Sequence, residues 1–352
     1  MEKEYFTLSE ILDTPNTLET VVEKINLVEN IASRIIDLRP ERIYYIGCGS
    51  SYYAASGALT PLLLEKFPFH AYSIPASEFL FYHSGNIGNN VVIAFSRSGT
   101  TREVIEAVKI AKKNRYTTIG ISCNENSELV KIADSAIVID NCSEKSFVMT
   151  KSFTALQFTG LLLSLKMINL IEKDDVVENI VKEASKLPKF IFQALDDIDK
   201  CRILAKETIN DKNFIFLGTT LTYPLAMEAS LKFIEMTYSL SEPFHILEFR
   251  HGPLALAERK NDISIIMLLA NDSSYKNSLK LLKEIKEKGF KVFEISNSGN
   301  VIKGVRVSWE GNNYYLPIIY APLIHATVYY RAILKGYNPD RPEHLRKVVE
   351  DF

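Results

Sequence analysis

The chain has 352 residues, 47% of them hydrophobic and 24% charged, with a formal net charge of -2. That length exceeds what one hydrophobic core usually serves, so two domains are expected, and the absence of a Lys/Arg excess excludes a polyanion binder such as a nucleic-acid protein. Four cysteines with no CxxC pair do not make a disulfide framework and fit a reducing cytoplasm.

The opening MEKEYFTLSEILDTPNTL is acidic and polar, without the basic-then-apolar order of a secretory signal, and begins a helical segment assigned to 1–35. From Arg42 short apolar runs alternate with helical-period segments, the signature of a parallel sheet covered by helices. RIYYIG, HAYSIP, NVVIAF, TTIGIS and SAIVID read as strands. SYYAASGALTPLLLEKF, TREVIEAVKIAKKN and ELVKIAD read as helices between them, and a helix near 151–172 closes a first domain over 36–172. Its stretch TALQFTGLLLSLKMINLI is the most apolar in the chain, but Gln157 and Lys166 make it a buried helix and not a membrane span. Polar, helix-patterned sequence over 173–211 reads as a linker of one or two helices.

The pattern then begins again. NFIFLGTTLTYPLAMEASLKF repeats the order strand, glycine, hydroxyl residues, helix already seen after RIYYIG, which points to an internal duplication. ISIIMLLA, a Lys-rich amphipathic helix, FKVFEIS and a long C-terminal helix complete a second domain over 212–336, followed by a tail over 337–352. The fold class expected is α/β, two tandem domains each with a parallel sheet flanked by helices.

Chemistry concentrates in a few turns. In AFSRSGTTREV the chain leaves a buried strand and spends six residues on four hydroxyls, an arginine and a glycine before a helix begins. A helix N-terminus offers unpaired N–H groups and partial positive charge. Gly99 permits close approach, and Ser96, Ser98 and Thr101 add donors, so the turn reads as an anion cradle. The plainer alternative, a helix cap, needs only one hydroxyl. The corresponding turn of the second half, NDSSYK, has no glycine, so one such site per chain is expected. GCGSSY lacks the third glycine of a dinucleotide fingerprint and reads as a second hydroxyl-bearing loop, with Ser50 and Ser51 placed beside the first at the sheet's carboxyl edge.

In MEASLKFIEM, Glu228, Lys232 and Glu235 fall at i, i+4 and i+7, one face of a helix. A solvated salt-bridge face is the ordinary explanation of that spacing. The apolar neighbours Leu225, Ala226, Ala229 and Phe233 favour burial instead, where a carboxylate beside an ammonium has the movable pKa that proton transfer uses. EFRHGPLAL places His251 in a glycine–proline loop, where a lone histidine is either an ordinary surface residue or an acid/base. None of the six histidines pairs at ligand spacing, so no metal is expected.

With SxSGxT, ExxxKxxE and ExxHGP in this order, together with EILDTP, TKSFT and the final RPEHLRKVVE, the chain resembles the sugar isomerase (SIS) family. The branch it resembles holds the isomerase half of glucosamine-6-phosphate synthases and the stand-alone glucosamine-6-phosphate deaminases. The resemblance implies that Ser96, Ser98 and Thr101, with backbone N–H groups near Arg97 and Gly99, hold a sugar phosphate. It also implies that Cys48, Gly49, Ser50 and Ser51 line the sugar. Glu235 becomes the base moving a proton between C1 and C2, with Lys232 and Glu228 as its supporting pair. His251 becomes the ring-opening acid/base, reaching the site from the other subunit of a homodimer, and Lys347 a lysine able to form an imine with the keto sugar.

Two departures bear on substrate. The first strand is reached by Arg42, so no glutaminase domain precedes it in the chain, and Met149 stands where the family has a serine. The resemblance therefore implies a cytoplasmic deaminase converting glucosamine 6-phosphate to fructose 6-phosphate and ammonia, with no metal or redox cofactor. The alternatives are a galactosamine- or fructosamine-6-phosphate enzyme, ammonia-dependent synthesis in reverse, and a non-enzymatic sugar-phosphate sensor, which would not require the acid/base residues.

Overall fold

The computed structural model describes residues 5–85, 88–173, 175–299 and 301–349. By contacts the chain forms two units. One comprises Asp13–Glu144, Lys151–Lys189 and Arg346–Phe352, the other Met1–Leu12, Lys145–Thr150 and Phe190–Leu345.

The first unit carries five strands, β1 (Arg42–Gly47), β2 (His70–Pro75), β3 (Asn90–Ser96), β4 (Thr117–Ser122) and β5 (Ser135–Val138). They form one parallel sheet in the order β2-β1-β3-β4-β5. Every residue of β3 is buried, as befits the middle of a parallel sheet covered on both faces. On one face Tyr44, Val92, Val104 and Val108 share a core. On the other lies the Lys151–Glu172 helix, where Tyr45 Oη meets Ser164 Oγ at 2.7 Å. That helix is long and apolar enough to cross a membrane, yet 78% of its most apolar window is buried, so its apolarity is accounted for by a core.

The second unit repeats the design. Its strands are β6 (Asn213–Gly218), β7 (Leu240–His245), β8 (Ile263–Leu269), β9 (Lys291–Ser296) and β10 (Gly304–Arg306). They lie parallel in the order β10-β9-β8-β6-β7, the same order as the first sheet. The equivalence reaches single residues. A Cβ on Gly47 would stand 2.7 Å from the Ser51 carbonyl carbon, and one on Gly218 2.8 Å from that of Thr222. In both sheets the strand ends against the backbone of the helix it feeds, and only glycine fits.

Two strands lie beyond the sequence expectation. LSEPFH is β7, an edge strand where proline is tolerated because no inner ladder needs its N–H, and β10 is three residues long. The linker holds three α-helices, Asp175–Glu183, Leu187–Leu195 and Ile198–Glu207, with a 3-10 turn at Ala184–Lys186, and so exceeds the one or two expected. The cysteine expectation is also corrected. Cys123 and Cys142 are joined in a disulfide, because Cys123 directly follows β4 and Cys142 follows the neighbouring β5, so parallel pairing brings them to one sheet edge. Cys48 and Cys201 are free thiols.

The C-terminal helix Leu316–Leu334 is tied down by a fully buried Arg331. Its guanidinium donates to the Thr208 and Asp211 carbonyl oxygens and lies 4.6 Å over the Phe214 ring. Burial pulls its pKa down to about 10, so it stays charged at neutral pH. Arg331→Met would leave the Asp211 carbonyl without this donor, at about 1–3 kcal/mol, while the Thr208 carbonyl keeps the Asp211 N–H. The expected outcome is a lower urea midpoint with an unchanged slope.

Candidate active site

The first sheet changes direction between β1 and β3, which place their connections on opposite sides. Open α/β sheets bind ligands in the crevice outside the strand carboxyl ends at such a point. The two hydroxyl-bearing turns singled out from the sequence follow these two strands, whose register pairs Ile46 with Ala94. Sequence and topology thus select the same crevice.

Within it the loop after β3 is built around Gly99. Its φ is +66°, and a Cβ there would stand 2.2 Å from Ser127 Oγ. The Gly99 N–H donates to Ser96 Oγ at 3.0 Å and the Thr100 N–H to Ser98 Oγ at 3.2 Å. Ser96 Oγ and Thr101 Oγ1 are 3.2 Å apart. Thr101 is the N-cap of the Arg102–Lys113 helix but makes no side-chain cap hydrogen bond. The plain capping explanation of these hydroxyls therefore does not account for the loop. They are held by one another and by backbone N–H groups, an arrangement that an anion can enter by exchange of partners.

Arg97 is fixed by an ion pair to Glu144 at 3.2 Å, with the Glu144 side chain fully buried. The C-terminal tail lies on the same loop. Lys347 Nζ donates to the Glu144 carbonyl at 2.5 Å, the Lys347 carbonyl accepts from Arg97 Nη2 at 3.1 Å, and the Val349 carbonyl accepts from the Arg102 N–H. Glu144 was not among the residues selected from the sequence. Its signal there, one acid in the loop SEKSF, is weak, and it emerges only when the fold sets it against Arg97. Gly99→Ala forces a left-handed backbone on alanine, about 1–2 kcal/mol, and crowds Ser127. Affinity for inorganic phosphate, measured by calorimetry, is expected to fall about tenfold.

After β1, Gly49 takes φ +52° as N-cap of the Ser50–Leu64 helix, and Ser50 and Ser51 are buried at its first turn. Cys48 stands at the head of this turn. Burial, reinforced by the charge of Glu103 and opposed by a hydrogen bond from the Ala76 backbone, pushes its thiol up to about 12. It is therefore protonated at neutral pH, which is not the state of a nucleophilic thiolate.

The equivalent turn after β8 lacks this form. There Asp272 Oδ1 takes the Ser274 N–H at 2.8 Å and the Ser274 hydroxyl at 2.6 Å, so a carboxylate of the chain itself sits at the start of the Tyr275–Glu287 helix.

The second unit holds the titratable groups. Glu228, Lys232 and Glu235 lie on the Tyr223–Thr237 helix, as the spacing requires. Lys232 Nζ is 3.3 Å from Glu228 Oε1 and 2.5 Å from Glu235 Oε2. The side chains of Glu228 and Lys232 are 0% and 1% exposed, while that of Glu235 is 15% exposed. This is a buried chain of charges with one end open to solvent, and not a solvated face. Burial pulls the Lys232 ammonium down, but the two carboxylates, Glu228 foremost, more than reverse this and hold its pKa above the usual lysine value. Because the helix connects parallel neighbours β6 and β7, it runs back along the sheet and carries Glu235 away from the turn after β6.

His251 follows a 3-10 turn, Leu247–Arg250, anchored by Arg250 Nε to Glu284 Oε2 at 2.8 Å. Its ring is exposed, and among the described residues no hydrogen bond or ion pair joins it to Glu228, Lys232 or Glu235. Among the described residues no group of three or more His, Cys, Asp or Glu side chains is gathered as a metal site.

A family profile described as SIS domain matches residues 38–166 and 208–302, most of the chain and every strand but β10. The chain belongs to the SIS domain family. Among its relatives, the isomerizing glutamine-fructose-6-phosphate aminotransferase of Sulfurisphaera tokodaii is 27% identical over 351 residues, which cover 98% of this chain and 56% of that protein. The aminotransferase of the same name from Buchnera aphidicola is 29% identical, with 98% and 58% covered. The chain thus spans a little over half the length of these curated relatives. The solved glucosamine-6-phosphate deaminase of Thermotoga maritima is 28% identical with a TM-score of 0.76, covering 97% of this chain and 99% of that one. The C-terminal domain of the Francisella tularensis glucosamine-fructose-6-phosphate aminotransferase has a TM-score of 0.86 at 24% identity, a likeness of fold. This SIS chain is an enzyme.

Proposed function

We propose that the chain is a glucosamine-6-phosphate deaminase, releasing fructose 6-phosphate and ammonia. The observation that carries this reading is the Glu228–Lys232–Glu235 chain, whose one partly open carboxylate is held 2.5 Å from a buried ammonium. Such a group is poised as a general base. The near end-to-end match to the Thermotoga maritima deaminase supports the choice of substrate.

In this reading the loop Ser96, Arg97, Ser98, Gly99 and Thr101 takes the phosphate, and Cys48, Gly49, Ser50 and Ser51 line the sugar. His251, supplied by a second copy of the chain in a homodimer, opens the pyranose to the free aldehyde. Its exposure and its lack of a bond to the Glu235 group support that assignment. Glu235 removes the C2 proton, acidified by the adjacent carbonyl, and returns it to C1 through an enolamine. The C2 imine that results is hydrolysed by water. Lys347 is the amine able to engage the keto sugar, and Glu228 and Lys232 hold the base. Fixing the phosphate end positions C1 and C2 at little further entropic cost.

The test is a substrate panel read by ammonia release. Glucosamine 6-phosphate should be turned over, and galactosamine 6-phosphate and fructosamine 6-phosphate much more slowly. Preference for either of the latter would move the assignment to a related enzyme of the same chemistry.

A further inference from the structure

The buried acid/base chain holds one carboxylate more than its ammonium can balance. Glu228 and Glu235 share the one Lys232 ammonium, where Glu228 is 0% and Lys232 1% exposed. A buried carboxyl group short of partners is costly, and proteins meet it with a further donor. The group in place is His325 on the Leu316–Leu334 helix. Its Nε2 is 3.5 Å from Glu228 Oε1, and its side chain is 1% exposed. Neither Glu228 oxygen accepts a hydrogen bond of ordinary geometry, and its polar contacts are Lys232 at 3.3 Å and His325 at 3.5 Å.

We propose that His325 is a positioning residue for Glu235, acting through Glu228 and Lys232. The imidazole Nε2, 3.5 Å from Glu228 Oε1, gives that carboxyl group a second polar partner. Lys232 then stays committed to Glu235. Without the imidazole, Glu228 competes for the ammonium it already meets at 3.3 Å, and Glu235 loses the contact that fixes its carboxylate. The inference rests on the function proposed above. No motif of the sequence contains His325, which reaches the site from a different helix.

The test compares steady-state turnover of glucosamine 6-phosphate by His325→Leu and His325→Gln. Leucine removes any polar contact to Glu228, whereas glutamine keeps an amide donor of similar reach. His325→Leu should lower kcat about 10- to 100-fold, the scale of a misplaced catalytic group, with KM within about twofold. His325→Gln should recover most of that loss. A His325→Leu enzyme with the wild-type kcat, or equal losses in the two variants, overturns the inference.

Should His325→Leu fail to fold, His325→Asn, whose amide is one methylene shorter than that of glutamine, decides. Its amide falls short of Glu228, so kcat should drop as expected for His325→Leu, and a kcat equal to that of His325→Gln would overturn the inference. The wild-type control keeps the two readings apart. A wild type that does not turn over the sugar overturns the substrate assignment and the catalytic role with it, while an active wild type with a fully active His325→Leu overturns the inference alone.

Discussion

Replacing Glu235 by glutamine should lower kcat about a hundred- to ten-thousand-fold, the range by which a positioned general base accelerates proton transfer. The change is nearly isosteric, so the helix packing and the contact with Lys232 survive while the proton acceptor is lost. Binding of the phosphosugar should persist, because the anion loop after β3 uses none of these atoms. The expected signature is therefore a collapse of kcat with KM or Kd little altered. Stopped assays for fructose 6-phosphate, with isothermal titration for binding, separate the two quantities. A variant that keeps more than a tenth of wild-type kcat would remove Glu235 from the role of base.

The largest expected effect on stability comes from Lys232→Met. It leaves Glu228, fully buried, without its ammonium, and removing one partner of a buried ion pair typically costs about 3–5 kcal/mol. The variant should unfold at a much lower urea concentration and lose activity with it. The pH dependence has a definite sign. The carboxylates hold the Lys232 pKa above the ordinary 10.5, so its stabilisation is fully present below that value and is lost as pH rises through the higher folded-state value. The gap between wild type and Lys232→Met should therefore be wide near neutrality and narrow at strongly alkaline pH. A gap that instead widened there would mean that the ammonium is not what the two carboxylates hold.

Much of this architecture was legible in the sequence because the inner strands of a parallel sheet are continuous apolar runs. RIYYIG and TTIGIS coincide with the inner strands β1 and β4, and HAYSIP with the edge strand β2. β7 was hidden because an edge strand admits the proline and acid of LSEPFH, and β10 is too short to carry a pattern. The hydroxyl turn after β3 could be read because its composition exceeds what a helix cap requires. The spacing of Glu228, Lys232 and Glu235 gave a shared face, but a salt-bridged surface has the same spacing, and their burial became visible only with the helix packed. Glu144, His325 and the Cys123–Cys142 pair were out of reach for one reason. Each acquires its partner from another element of the fold, a relation that no local pattern records.

The measurement that tests the central claim most directly is the stoichiometry of products from glucosamine 6-phosphate. Fructose 6-phosphate and ammonia should appear in equal amounts with the wild-type chain and vanish with Glu235→Gln. Tight binding of the sugar phosphate with neither product formed would contradict the account and would leave the anion loop as the receptor of a sensor.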